Sequence, residues 1–241
     1  MKKFVSLLAI ILTLCLPSSA QSVSISSKRV TYTRPKPIVD FKKTFTINYP
    51  KVRASTPALS KKIESAISYS SILGLNLKEE LNDIQWLEEA DYEVNYNRNG
   101  VLTIDLRMNG TGAYPSGTSK TVVVDTRTGR KVTPSAAFRD LLGLAALVDK
   151  ALKKEISSAI KEIRKDPENE EPKPEHLFAD VRFTVRDLEG YAVDEKGVKF
   201  TFNYGFPHVI KALEPGGTFS FTWGELRQFI RRSGLLTRFA R

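Results

Sequence analysis

"DYEVNYNRNGVLTIDLRMNGTGAYPSG", residues 91–117, reads as the centre of a β-sheet and sets the architecture of the chain. Tyr92, Val94 and Tyr96 alternate with polar neighbours, the period of two that marks a half-buried strand. Leu102, Ile104 and Leu106 repeat the pattern after Asn99-Gly100, a pair that tolerates positive φ and so predicts a hairpin. Gly110, Gly112 and Gly117 then surround Tyr114-Pro115, which raises the question of a phosphate-cradling loop. Such a loop needs a helix after it, because its amides must converge at a helix N-terminus. The next apolar segment is instead "TVVVDTRTG" (121–129), a β-rich run closing on another turn, Thr128-Gly129. The nucleotide reading fails on that flank. Gly110, Gly112 and Pro115 are expected to shape a turn between two strands.

On either side of the hairpin, the chain mixes both periods. "KTFTINYP" (43–50) alternates Phe45, Ile47 and Tyr49, with Pro50 as its expected end. Ser55–Leu73 carries Leu59, Ile63, Ala66 and Ile67 at helical spacing, with Ser55 or Thr56 as N-cap. A second helical stretch is predicted over Leu77–Leu87. The longest helix, Leu141–Arg164, has one apolar stripe: Leu141, Leu144, Val148, Leu152, Ile156, Ile160 and Ile163. Strands are expected in "ADVRFTVRD" (179–187), "GYAVD" (190–194) and "GVKFTFNY" (197–204). A final strand runs into a short C-terminal helix, where Thr222 and Glu225 are spaced for a capping box. The expected class is α+β: a mostly antiparallel sheet packed by two principal helices.

The start of the chain bears on compartment. Lys2 and Lys3, the apolar run Phe4–Leu16 and the small-residue end at Ala20 read as a secretory signal peptide, residues 1–20. An uncleaved anchor would need about 20 apolar residues, and Leu14 stands where a lipoprotein signal has a small residue before Cys15. Cleavage would leave a polar leader, 21–40, with one strand expected near Val23–Tyr32, and a single domain, 41–241, with no cysteine. A chain of about 220 residues can hold itself by its core without disulfides. Losing Lys2 and Lys3 moves the net charge from +10 to +8, which favours anionic partners: wall polymers or lipid head groups. Export argues against nucleic acid, and no later segment has the length and hydropathy of a membrane span. The tail residues Arg227, Arg231, Arg232, Arg238 and Arg241 read as a solvated basic face.

Chemistry needs convergent groups, and the sequence offers few. Two histidines, His176 and His208, fall short of the three or four ligands of a zinc site, so no metal or other cofactor is expected. No Gly-x-Ser-x-Gly elbow is present. The pairs Glu79-Glu80, Glu88-Glu89 and Glu170-Glu171 read as solvated charges, since neighbours in sequence diverge in space. No catalytic residue is predicted. Tyr114, Tyr204, Phe206 and His208 are instead the candidate ligand-binding set, because aromatics give contact area and a polar tip at little entropic cost.

The order "FTINYPKV", helix, "WLEEADYEVNYNRNGVLTIDL", "GTGAYPSG", "VVVDTRTGRKVTPSAAFRDL", long helix, "GVKFTFNYGFPHVIKALEPGGTFSFTWGEL" resembles an extracytoplasmic α+β domain family over about Phe41–Ile230. It is the family of the outer domain of RsiV-type anti-sigma factors, also found ahead of the catalytic domain in PdaC-type peptidoglycan deacetylases. The resemblance implies an envelope-facing binding module, with a wall glycan or a lysozyme-like protein as ligand. It implies neither anti-sigma activity nor deacetylation, since the sigma-binding segment and the deacetylase metal motif are missing from this sequence. The alternatives are a hydrolase of wall material and a structural envelope component.

Overall fold

In the computed structural model, residues 22–165 and 173–239 are described. The expected signal peptide, Cys15, Glu170-Glu171 and Arg241 lie outside the described residues.

The fold is α+β with a mostly antiparallel sheet. Six strands, β1 (Ser24–Thr33), β2 (Thr44–Arg53), β3 (Leu87–Arg98), β4 (Val101–Thr111), β5 (Pro115–Asp125) and β6 (Arg130–Lys131), lie side by side in chain order. The strand expected near Val23–Tyr32 is β1, and it pairs with β2 along all ten of its residues, which ties the 21–40 leader into the sheet. β2 and β3 run parallel, through Thr46–Glu89 and Ile47–Ala90, and every other junction is antiparallel. Parallel neighbours need a crossover. Three short helices supply it: α1 (Pro57–Ala66), α2 (Tyr69–Leu73) and α3 (Leu77–Asn82).

Local chemistry redraws several expected boundaries. β2 continues through Pro50 to Arg53, because Pro50 faces Ser27 of β1 on one side and lies beyond the short β3 pairing on the other. A proline with no ladder donor is tolerated at such a free edge. The single helix expected over Ser55–Leu73 is two. Thr56 caps α1 as anticipated, accepting from Leu59 N, but the Ser68 hydroxyl accepts from Ser71 N and starts α2 anew. The helix expected to reach Leu87 stops at Asn82; Gln85 takes a left-handed φ of 48° and Leu87 begins β3. The strand expected in "ADVRFTVRD" is not formed. The Asp187 carboxylate accepts both the backbone N–H and the hydroxyl of Thr184 at 2.7 Å, which coils Val185–Glu189 into a 3-10 turn.

Beyond β6 come α4 (Pro134–Ala137), α5 (Leu141–Ile163), α6 (Pro174–Leu177), then a second sheet of β7 (Tyr191–Val193), β8 (Gly197–Thr201) and β9 (Thr218–Thr222), and α7 (Trp223–Leu226). The Thr222–Glu225 capping box is present. The large sheet is the middle layer of three. Its β4 side chains alternate as the pleat requires. Leu102, Ile104 and Leu106 join Ile63 and Ile67 of the α1–α2 side, whereas Val101 joins Leu144, Val148 and Leu152 of α5 and Phe200 of β8. Thr103 faces the second sheet: its hydroxyl donates to Val193 O at 3.0 Å and accepts from Val193 N at 3.3 Å. Among the described residues no helix is long and apolar enough to cross a membrane.

Candidate functional site

The β4–β5 hairpin carries the site outward. Its register pairs Gly110 with Ser116 and Thr111 with Pro115, leaving 112–114 as the tip. Glycine is required at 110 by close approach: a Cβ there would overlap the Trp86 carbonyl and stand 2.8 Å from its indole. Trp86 is locked over the hairpin, with Nε1 donating to Ser116 Oγ at 2.9 Å and its carbonyl accepting from Thr111 N at 3.1 Å. Gly112 is different. Its φ lies outside the left-handed region, and a Cβ would meet only the Trp86 ring at 3.9 Å. The turn therefore needs its glycine at 110, under the indole, and Pro115 opens β5 where an absent N–H costs little.

A second support stands behind Trp86, where the sequence suggested only solvated charge. Arg34, with its side chain fully buried, donates to Glu80 O, Lys42 O and Leu87 O at 2.6–2.9 Å, and its guanidinium lies 4.5 Å from the Phe45 ring centre. Glu80 is buried too, facing Arg34 at 3.6 Å and accepting from Leu87 N at 2.8 Å. Lys42 Nζ donates to Gln85 O and Thr111 O. Glu80 thus departs from the solvated reading: a buried carboxylate is tolerated because it is paired and hydrogen-bonded.

Tyr114 projects from the tip, 68% exposed. His208 comes from the other sheet, at the head of a 3-10 turn, His208–Leu213, in the long loop from β8 to β9. The two rings stack, with centroids 5.6 Å apart and planes inclined by 23°. Two residues 94 positions apart, on loops of different sheets, thus share one exposed face.

Tyr204 and Phe206 are half-buried in the chain segment that leads to His208. Phe202, Tyr204 and Phe206 alternate onto one face and pack against each other and Phe178 at centroid distances of 5.0–5.9 Å. The Tyr204 hydroxyl donates to Glu155 Oε2 of α5 at 2.6 Å; burial, then the Glu155 carboxylate, pushes that phenol up from its ordinary range. Glu155 also accepts Gly217 N at 3.2 Å, so one carboxylate holds both ends of the His208 loop. Glu214 steadies its middle, accepting from Phe206 N and Lys211 Nζ. Of the four candidate residues, the structure joins Tyr114 and His208 as surface partners and keeps Tyr204 and Phe206 half-buried in the segment before His208. Sequence reasoning missed Glu155, whose signal is lost among many helical acids, and Val209, which stands 89% exposed beside His208.

This surface is a platform rather than a cavity. Among the described residues no group of three or more His, Cys, Asp or Glu is placed to hold a metal. The basic tail is partly tied down: Arg231 Nε donates to Ser135 O at 2.9 Å and Arg238 to Asn99 O.

No known protein family matches the sequence, and no curated protein does. Solved structures do match. A crystal structure of a DUF3298-family protein from Bacteroides fragilis aligns with a TM-score of 0.57 at 15% identity, over 92% of this chain and 98% of that one. A DUF3298-family protein from Pseudomonas aeruginosa aligns with a TM-score of 0.52 at 10% identity, over 87% and 94%. At such identities the likeness is one of fold: nearly the whole chain is arranged as in these DUF3298 proteins.

Proposed function

We propose that this protein is an exported binding module of the cell envelope with no catalytic step of its own, and that its ligand is a wall glycan or a lysozyme-like protein. The observation that carries the reading is the Tyr114–His208 stack. An exposed tyrosine held against an imidazole by two separately anchored loops is pre-organised, so little ordering cost remains when a ligand arrives. The resemblance in sequence to the outer domain of RsiV-type anti-sigma factors supports the ligand class, and the signal-like first 20 residues support export.

Co-sedimentation with peptidoglycan sacculi and capture on immobilised lysozyme test it. Tyr114→Ala should weaken capture about 3–10-fold, the loss expected for one aromatic contact. Its melting temperature should stay put, because the side chain is mostly exposed. Capture indifferent to both Tyr114→Ala and His208→Ala would move the site elsewhere, and product release from sacculi abolished by His208→Ala would make the protein an enzyme.

A further inference from the structure

The Asp-x-x-Thr-Gly-Arg turn, Asp125–Arg130, has no part in the platform, which lies at the opposite end of β5. Eleven residues of strand put the two about 30 Å apart. Here the turn folds back on α1. Gly129, at φ 70°, lets it approach so closely that a Cβ would stand 2.7 Å from Cβ of Lys62. Between them opens a cleft of about 630 Å³, lined by Lys62, Arg127, Thr128 and Arg130 together with Ser55, Thr56 and the apolar Ala58 and Leu59.

Its charge is one-sided. Lys62 and Arg130 form no ion pair among the described residues, and Arg127 has only Asp125, at 3.4 Å from Nε. A fourth cation stands behind: Arg238 and Arg127 both lie against Gly100, at 2.8 and 3.5 Å from where its Cβ would be. Three cations line the cleft and no carboxylate does, so it is net positive. Like charges so gathered repel, and an anion placed among them gains from each. Lys62 from α1 and Arg127, Thr128 and Arg130 from the turn line one space, and two arginines with a lysine suit a group that carries several oxygens and more than one negative charge.

We infer that this cleft is a second binding site, for a phosphate-bearing ligand. It does not rest on the platform reading, and Tyr114→Ala leaves it intact. A free phosphate polymer and a phospholipid headgroup present the same chemistry, so the test has two arms.

In the first arm, inorganic tripolyphosphate is titrated into the isotope-labelled purified protein at low salt. Amide shifts should concentrate in 55–62 and 125–130. The double variant Lys62→Gln/Arg130→Gln should weaken binding about tenfold, since each lost charge-assisted contact is substantial. The control Lys28→Gln/Arg29→Gln removes equal charge from exposed positions on β1 and should have little effect. All four side chains are exposed, so melting should be unchanged. In the second arm, sedimentation with phosphatidylglycerol but not phosphatidylcholine vesicles, lost in the cleft variant, names a headgroup. Tripolyphosphate binding without vesicle binding names a soluble or polymeric phosphate. Equal weakening by both double variants, shifts spread over the surface, or no binding in either arm overturns the inference.

Discussion

Gly110 and Gly112 are two positions apart in one loop, yet only one of them is demanded by the structure. Gly110→Ala must push the Trp86 backbone and indole away from the hairpin, and overpacking of that kind costs about 1–3 kcal/mol. Gly112→Ala makes only an ordinary contact with the Trp86 ring, at 3.9 Å and an unremarkable φ, and should fall within about 0.5 kcal/mol of the parent. Thermal melts of the two single variants check this, and equal destabilisation would mean that Trp86 does not fix the turn. The sequence displays both glycines alike because the difference lies in a partner 24 positions upstream. The same holds for Arg34 and Glu80. Each reads as a surface charge by composition, and only their meeting across 46 positions makes them a buried pair. Asn99-Gly100 is legible because its reason is local: both residues take positive φ, at 54° and 72°.

Elements are legible where periodicity is long and the caps agree with it. In α5 the stripe Leu144, Val148, Leu152, Ile156 and Ile163 is buried as its spacing demands, and Asp140 caps the start by accepting from Gly143 N at 2.9 Å. Short elements escape a reading by period where a side chain captures the backbone, as Ser68 does between α1 and α2 and Asp187 does in the 3-10 turn. In the sequence Tyr114 and His208 are two members of a four-residue candidate set, and their stacking is not visible there, because it depends on how the β4–β5 tip and the β8–β9 loop meet. The polar side of α5 gives a pH prediction. Burial would raise the Asp149 carboxyl, but Lys153 Nζ at 2.6 Å and Phe183 N at 2.9 Å outweigh it and hold the group below its ordinary range. A carboxyl depressed in the folded state contributes stability above its unfolded pKa and loses it as pH falls through the folded value. Asp149→Asn should therefore be less stable than the parent at neutral pH. The two should converge as pH falls below about 4. Chemical denaturation at a series of pH values reads this directly; a gap constant down to pH 2 would show that the charge is irrelevant.

Across the molecule as a whole, the question is whether two cores on opposite faces of one sheet fold as one. They share β4 and β5, whose successive residues serve alternate cores: Leu102 and Val122 one, Val101 and Val123 the other. The Thr103 hydroxyl and the Tyr191 hydroxyl, which donates to Val132 O at 2.6 Å, join the second sheet to the layer beneath it. Shared strands mean that unfolding either side strips apolar cover from the other, so a single cooperative transition is expected. The chain carries its own reporters. Of its two tryptophans, Trp86 packs against the α1–α2 core and Trp223 against the α5 core. Fluorescence of Trp86→Phe and Trp223→Phe, each leaving one reporter, should give transitions that coincide with each variant's own loss of far-ultraviolet dichroism. Thr103→Val then tests the join. The swap keeps the shape but leaves the Val193 carbonyl and N–H, both buried, without the hydroxyl they share, which costs about 1–3 kcal/mol. Placed in both single-tryptophan backgrounds, it should lower both midpoints together, and Thr103→Ser should recover most of the loss. If the Trp223 signal alone moved to lower denaturant while Trp86 stayed, the small sheet with α5 would be a separate folding unit docked on the large one. The His208 loop would then reach Tyr114 only while that docking holds, and the platform would be as labile as the contact at Thr103.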